Sequence, residues 1–324
     1  MSGHWRPSAR LEVLRARAEL LSRIRAFFRD AGVLEVETPL ASAAANTDPM
    51  LDSLATRYTG PGAPAGRRLY LQTSPEFAMK RLLAAGSGPI YQICKAFRDG
   101  ERGRLHNPEF SILEWYRPGY DHQRLMDEVE ALISPLLGVT EPFQRLSYSE
   151  LFQRQLGLDL LAADAARLRA CAQERGGPGL AALELDADAW LDLLLSEFIE
   201  PQLGRDRPCF VYDYPASKAA LARVRPGPPP LASRFELYAE GRELANGFHE
   251  LSDASEQQRR FEAELQRRRA AGRPLVPMDL NLLAALQQGL PDCSGVALGL
   301  DRLLMLRQEL THIDQALAFP LERA

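Results

Sequence analysis

Two arginines far apart in the chain carry the strongest chemical signal. Arg98 follows the strand-like run Ile90–Phe97 within Phe97-Arg98-Asp99-Gly100, and Arg302 closes Gly299-Leu300-Asp301-Arg302, where Gly295–Leu300 leads into the helix-like Asp301–Leu310. After Arg98 come His106-Asn107-Pro108-Glu109-Phe110 and then Glu114-Trp115-Tyr116. A guanidinium forks onto phosphate oxygens, so two separated arginines with interspersed carboxylates suit a polyphosphate held at both ends, with magnesium between them. No Walker loop and no dinucleotide glycine fingerprint occurs, which excludes the commonest phosphate cradles.

Strands ending at these arginines, and helices behind them, must position the groups. Ile90–Phe97 and Phe110–Arg117 are rich in branched and aromatic residues and are expected to pair antiparallel. Ser74 is expected to cap a helix with Pro75 in its first position and Phe77, Met79, Leu82 and Leu83 buried. A helix is expected over Ser8–Ala31, a strand over Val33–Glu37, and a Gly/Pro turn at 60–64 leading into a short strand Arg68–Gln72. Further helices are expected at His122–Leu137, Ser149–Leu156, Asp164–Arg175, Asp186–Ile199, Ser255–Ala271 and Met278–Gln288, with strands at Cys209–Tyr212, Arg234–Ala239 and Glu243–Phe248. Clustered strands with helices between them predict an α+β fold around an antiparallel sheet, one domain over residues 1–324.

Glu236 and Glu243 are seven apart and would lie on opposite faces of one ideal strand, but a turn at Glu240-Gly241 folds them into a hairpin. As hard oxygen donors they suit magnesium; the alternative is two solvated strand carboxylates. The helix over 8–31 carries an apolar face from Leu11 to Phe28, with seven arginines against Glu12 and Glu19 in residues 1–29. A transit peptide would be poorer in acids, so a structural helix is expected. The basic helix with Arg260, Arg267, Arg268 and Arg269 reads as a solvated face or as a protein-docking surface.

At 46% apolar and 25% charged residues the composition is that of a soluble globular protein. The net charge of −4 argues against a dominant nucleic-acid surface. Cys94, Cys171, Cys209 and Cys293 form no CxxC pair, so reduced, buried thiols in a cytoplasmic protein are expected rather than zinc ligands or disulfides.

The spacing around Arg98 and Arg302 resembles motifs 2 and 3 of class II aminoacyl-tRNA synthetases, and Val33-Leu34-Glu35-Val36-Glu37-Thr38-Pro39 resembles their motif 1. The lysyl branch is closest: Ser74-Pro75-Glu76, Arg98, His106–Phe110, Glu243-Leu244-Ala245-Asn246-Gly247-Phe248-His249-Glu250 and Gly299–Arg302 occur in its order. Within that branch the chain resembles, from about Ala9 to its end, the ligases that modify elongation factor P. The resemblance implies a class II catalytic fold, ATP and Mg2+ as cofactors, a homodimer built on motif 1, and elongation factor P as protein substrate. Motif 1 begins by residue 33, so no OB-fold anticodon domain is expected before it.

The resemblance also assigns roles. Arg98 would hold the α-phosphate and the amino-acid carboxylate, and Arg302 the γ-phosphate. Asp99, Gly100, Arg104, His106, Asn107, Phe110, Glu243, Leu244 and Gly299 complete the expected ATP site, with His106 on phosphate and Phe110 stacked on adenine or, alternatively, an ordinary core aromatic. Glu236 and Glu243 would hold magnesium. Ser74, Pro75, Glu76, Glu114, Tyr116, Asn246, Glu250 and Ala297 would form the amino-acid pocket. Three acids around a small cavity repel one another unless the ligand brings positive charge, which a diamino acid does.

Three positions depart from the synthetase pattern. Gly100 stands where motif 2 has an adenine-binding glutamate, leaving Glu101 or backbone atoms for that role. Leu105 replaces an arginine, leaving Arg104 as the nearby cation. Ala297 replaces a glycine beside the pocket, and one methyl group there would favour an amino group on the β-carbon, as in (R)-β-lysine, over α-lysine. The rival expectations are a truncated lysyl-tRNA synthetase, a non-catalytic lysine-sensing paralogue, and an aspartate–ammonia ligase; the last would need a cation where this chain gathers acids.

Overall fold

A computed structural model describes residues 5–177, 179–180 and 183–324. The elements begin with α1 (Leu11–Asp30), β1 (Leu34–Glu35), β2 (Ala41–Ser42), β3 (Ala55–Tyr58), β4 (Arg67–Leu71), α2 (Glu76–Ala84), β5 (Ile90–Phe97) and β6 (Glu109–Pro118). Then come α3 (His122–Leu137), β7 (Gln144–Ser147), α4 (Tyr148–Leu156), α5 (Ala165–Gly176), α6 (Ala187–Leu194), β8 (Cys209–Pro215), β9 (Val224–Arg225), β10 (Leu231–Ala239) and β11 (Arg242–His249). The chain ends with α7 (Ala254–Ala270), α8 (Leu280–Gly289), β12 (Cys293–Gly299) and α9 (Leu300–Arg307). These divide into two units, residues 1–120 with 252–324, and residues 121–251.

In the first unit β6 lies between β5 and β12, antiparallel to both, and β1 joins β5 in parallel. β2, β4 and β3 form a separate antiparallel sheet. Alternation sorts the side chains of β12: Val296 and Leu298 are buried, while Gly295, Ala297 and Gly299 sit opposite Tyr116, Glu114 and Ile112 of β6. Small residues therefore line the strand where it faces the acid. Helix α1 buries Val13, Leu20, Ile24 and Phe28, and Phe28 stacks on Tyr91 at 4.4 Å and meets Trp115 edge-on at 5.4 Å.

The second unit pairs β10 antiparallel with β11, β8 and β9, and β7 parallel with β8. The hairpin turns at Glu240 and Gly241, whose φ values of 53° and 68° match the two left-handed residues of a type I′ turn. Its core gathers Tyr148, Phe152, Trp190, Leu194 and Ile199 with Val211 and Tyr214 of β8. Asp121, Ser147, Asp164 and Asp186 each accept an N–H in the first turn of the helix that follows. The helix expected over Asp186–Ile199 is α for eight residues and then a π-helical turn, Leu195–Ile199.

Two expectations need correction. Outside the antiparallel β2–β4–β3 sheet the pairing is mixed rather than wholly antiparallel, because β1–β5 and β7–β8 are parallel pairs. Arg268 is not on a solvated face: it is 1% exposed and donates to the carbonyls of Asp48 and Pro274 and to the Asp52 carboxylate. Among the described residues no helix is long and apolar enough to cross a membrane. All four cysteines are free, three of them buried and Cys94 half-buried.

Candidate active site

The first unit holds six of the eight expected pocket residues, Ser74, Pro75, Glu76, Glu114, Tyr116 and Ala297. Glu114 is buried in mid-strand, and its two oxygens accept from the Ser74 hydroxyl at 2.8 Å and the Tyr116 hydroxyl at 2.6 Å. Ser74 also receives the N–H of Glu76 at 3.0 Å, which fixes the start of α2; Pro75 is the residue at the helix cap, one position later than expected. Glu114 stands between Gln92 and Ala297 in a cross-strand row, so the Ala297 methyl is directly beside the carboxylate. Burial, and next the charge of Glu114, push the Cys94 thiol up to about 12.

Glu76 belongs to this cluster but is not unpaired. Lys80, one turn later and 2% exposed, places Nζ 2.6 Å from its carboxylate. An ammonium bound at Glu76 would have to share the carboxylate with this internal cation. The i,i+4 spacing was the available sequence signal for this pair.

Around the expected phosphate clamp, Arg98 lies over the Phe110 ring at 5.0 Å and reaches Glu101 at 3.5 Å. Its Nε is buried without an acceptor. A buried donor of this kind is costly unless a ligand oxygen meets it, which fits an anion at this place. Glu101, the acid the sequence leaves for the adenine role, is drawn to Arg98. Gly100 has φ +80°, a conformation a glutamate side chain adopts only with strain, so the departure at this position is built into the loop backbone. The Asn107 side chain is already partly engaged: Nδ2 donates one hydrogen to the Glu109 carbonyl at 2.7 Å and Oδ1 accepts from the Leu321 N–H at 3.2 Å, which leaves one N–H and one lone pair. Arg104 is exposed, and its carbonyl is bound by the Ile313 N–H.

Arg302 lies in the first turn of α9, capped by Gly299, and its Nη2 is 2.6 Å from His106 Nε2. Burial first, and then the charge of Arg302, hold the His106 imidazole below its ordinary value. A neutral imidazole accepts the guanidinium hydrogen and aims the arginine. Asp301, adjacent in sequence, is turned to the other side, where it pairs with Arg17 and accepts from the Ser111 N–H at 2.7 Å. Arg17 is thus one of the N-terminal arginines that is not solvated; its side chain is 19% exposed.

The second unit holds the other expected residues. Glu236 is buried and its carboxylate accepts from Tyr214, Tyr238, Arg234 and Asn246. Glu243 stands opposite Tyr238 in the hairpin and lines the same cavity of about 250 Å³ as Glu236, Arg234 and Lys218. Glu236 and Glu243 are both hard oxygen donors of the kind magnesium takes, and Glu236 would first have to release donors, one of them charged, to bind it. Asn246 is tied to Glu236 at 3.2 Å, Leu244 has a buried side chain, and Glu250 is 1% exposed in a bridge to Ala222.

His106 gives a pH prediction. Its folded value is depressed, so its contribution is complete above the ordinary imidazole value of about 6.5 and is lost as pH falls through the folded value below that. Nucleotide-dependent activity should hold above about pH 6.5 and fall on the acid side, and His106→Gln, which cannot take up a proton, should abolish that limb. A rate profile for His106→Gln that keeps the limb would remove His106 from it.

The chain matches the class II tRNA synthetases (D, K and N) over residues 4–323. It is 52% identical over 320 residues to the elongation factor P–(R)-β-lysine ligase of Klebsiella pneumoniae, covering 99% of this chain and 98% of the relative. It is also 52% identical to the Erwinia tasmaniensis ligase of the same name over 319 residues, 98% of each chain, and 51% identical to that of Salmonella paratyphi B over 320 residues, 99% of this chain and 98% of the relative. With its buried Glu114, its two arginines and a match along nearly its whole length, the chain belongs to the class II tRNA synthetases of the D, K and N group.

Proposed function

We propose that this protein activates (R)-β-lysine, or lysine, with ATP as an aminoacyl-adenylate and transfers the acyl group to a lysine ε-amine of elongation factor P. The observation that carries this reading is the full-length likeness to ligases of that name. The family match runs through both units, which supports treating them as one catalytic domain.

In the first step a carboxylate oxygen of the amino acid attacks the α-phosphorus and pyrophosphate leaves. The nucleophile is already ionised, so no base is required; the protein's task is orientation and charge stabilisation. Arg98 would hold the α-phosphate and the amino-acid carboxylate, its buried Nε supplying a donor in need of an acceptor. Arg302, aimed by His106, would hold the far phosphate. Glu114, held by two hydroxyls, would pair with the side-chain ammonium. Magnesium, held by Glu243 and phosphate oxygens, would neutralise phosphate charge. In the second step the acceptor nitrogen attacks the acyl carbon and AMP leaves. With a reference pKa near 10.4, that amine must lose a proton first.

A cytoplasmic homodimer is part of the proposal. Leu34 on the terminal strand β1, and Leu11 at the start of α1, are exposed apolar side chains that a two-fold contact through motif 1 would cover.

Pyrophosphate exchange with lysine and (R)-β-lysine in competition tests the amino-acid part. The Ala297→Gly variant should shift the preference towards α-lysine by about 1–3 kcal/mol, the range for one methylene-sized change in a tight pocket. An unchanged ratio would make Ala297 plain strand packing; exchange independent of either amino acid would overturn the reading itself.

A further inference from the structure

The loop between β5 and β6 carries most of the expected nucleotide contacts, and the end of the chain holds it. The Ile313 N–H donates to the Arg104 carbonyl at 2.9 Å, and the Leu321 N–H to Asn107 Oδ1 at 3.2 Å. Beside these anchors, Arg102 forks onto both oxygens of Glu322, at 2.8 and 2.7 Å, and reaches Asp314 at 3.0 Å. Arg323 in turn donates to the Arg6 carbonyl at 3.0 Å, so the tail is itself tied down. The loop's other contacts are local or single: Gly103 with His106, and the Asp99 N–H on the Asp52 carbonyl.

An isolated surface ion pair contributes little, but a planar guanidinium shared by two carboxylates fixes a geometry as well as adding attraction. An open cleft of about 440 Å³ adjoins the fork, bordered by Pro7, Ser8 and Pro320, so the loop has room to move once the fork opens. Arg102 lies three residues before Leu105, where the synthetase arginine is missing, and four before His106.

We propose that Arg102 is a positioning residue: its fork to Glu322 and Asp314 holds the loop so that Arg98 and the His106–Arg302 pair stay set for the nucleotide, and the C-terminal tail thereby sets nucleotide affinity. This rests on the nucleotide reading of the arginine clamp. The fork does not touch the reacting atoms, and a bound nucleotide can itself hold the loop in place, so its loss should show in ATP affinity more than in the rate at saturation.

The test uses the full-length protein with Arg102→Ala, Arg102→Lys and Glu322→Gln. Amide hydrogen exchange over residues 99–107 without nucleotide reports on the loop alone; ATP titration in pyrophosphate exchange reports on affinity. In Arg102→Ala the loop amides should exchange about tenfold faster with an unchanged melting midpoint. The KM for ATP should rise about five- to tenfold with kcat at saturation within about twofold. Arg102→Lys should fall between the two, and salt raised from about 0.05 to 0.5 M should weaken ATP binding more in the wild type than in Arg102→Ala. Unchanged loop exchange, an ATP KM within about twofold of wild type, or a loss that only tracks a lowered melting midpoint would each overturn the proposal. Faster loop exchange in a protein whose wild type binds no ATP would instead overturn the nucleotide reading.

Discussion

Replacing Arg302 by alanine should reduce amino-acid-dependent pyrophosphate exchange by at least about a hundredfold, the scale of losing one preorganised donor to a developing anion. Three features converge on this residue. It sits in the first turn of α9, where the unpaired N–H groups already favour negative charge. A neutral imidazole holds it 2.6 Å away without neutralising it. Its acidic neighbour Asp301 is engaged elsewhere by Arg17 and the Ser111 N–H, so it does not quench the charge. The fold should survive, because α9 is anchored by the buried Leu300, Leu303, Leu304 and Met305 rather than by Arg302. Near-wild-type exchange from a variant with an unchanged melting midpoint would remove Arg302 from the clamp.

Glu114→Gln should weaken lysine and (R)-β-lysine binding by roughly 2–5 kcal/mol, since it keeps the shape but removes the charge facing a buried ammonium. Glu114 is tightly constrained: buried, central in a row of three strands, and fixed by hydroxyls on both oxygens. A glutamine accepts through one oxygen only, so either Ser74 or Tyr116 also loses its acceptor. The loss should fall on the amino acid and spare ATP. Titration of each ligand separately measures this; equal weakening of both, or no change for lysine, would place the ammonium elsewhere.

The parts of the site that were legible in the sequence are those whose chemistry is local. Arg98 closes a strand, Arg302 opens a helix, and Gly295, Ala297 and Gly299 alternate with Val296 and Leu298, so strand periodicity alone puts the small residues on one face. The hairpin turn at Glu240-Gly241 was legible for the same reason, since few residue pairs tolerate two left-handed conformations.

What was not legible depends on partners that sequence distance hides. Glu236 reads as a metal ligand by type, yet its carboxylate is filled by donors from β8, β10 and β11 together. Only Arg234, two residues away on the same face, hinted at this. Arg102 and Glu322 are 220 residues apart, and nothing in either neighbourhood signals the fork. Arg268 looked like one of a run of solvated arginines; its burial follows from Asp48 and Asp52, more than 200 residues earlier. The two parallel pairs escaped because β1 has two residues and β7 four, too few for a pattern to declare direction.

The central claim is acyl transfer from a lysine-type amino acid to a protein amine. The most direct measurement incubates the protein with ATP, (R)-β-lysine and elongation factor P and then determines the intact mass of the factor. The account predicts a gain of one lysyl residue on the factor, dependent on ATP and absent with Arg302→Ala. An unmodified factor, alongside aminoacylated tRNA from the same protein, would contradict it.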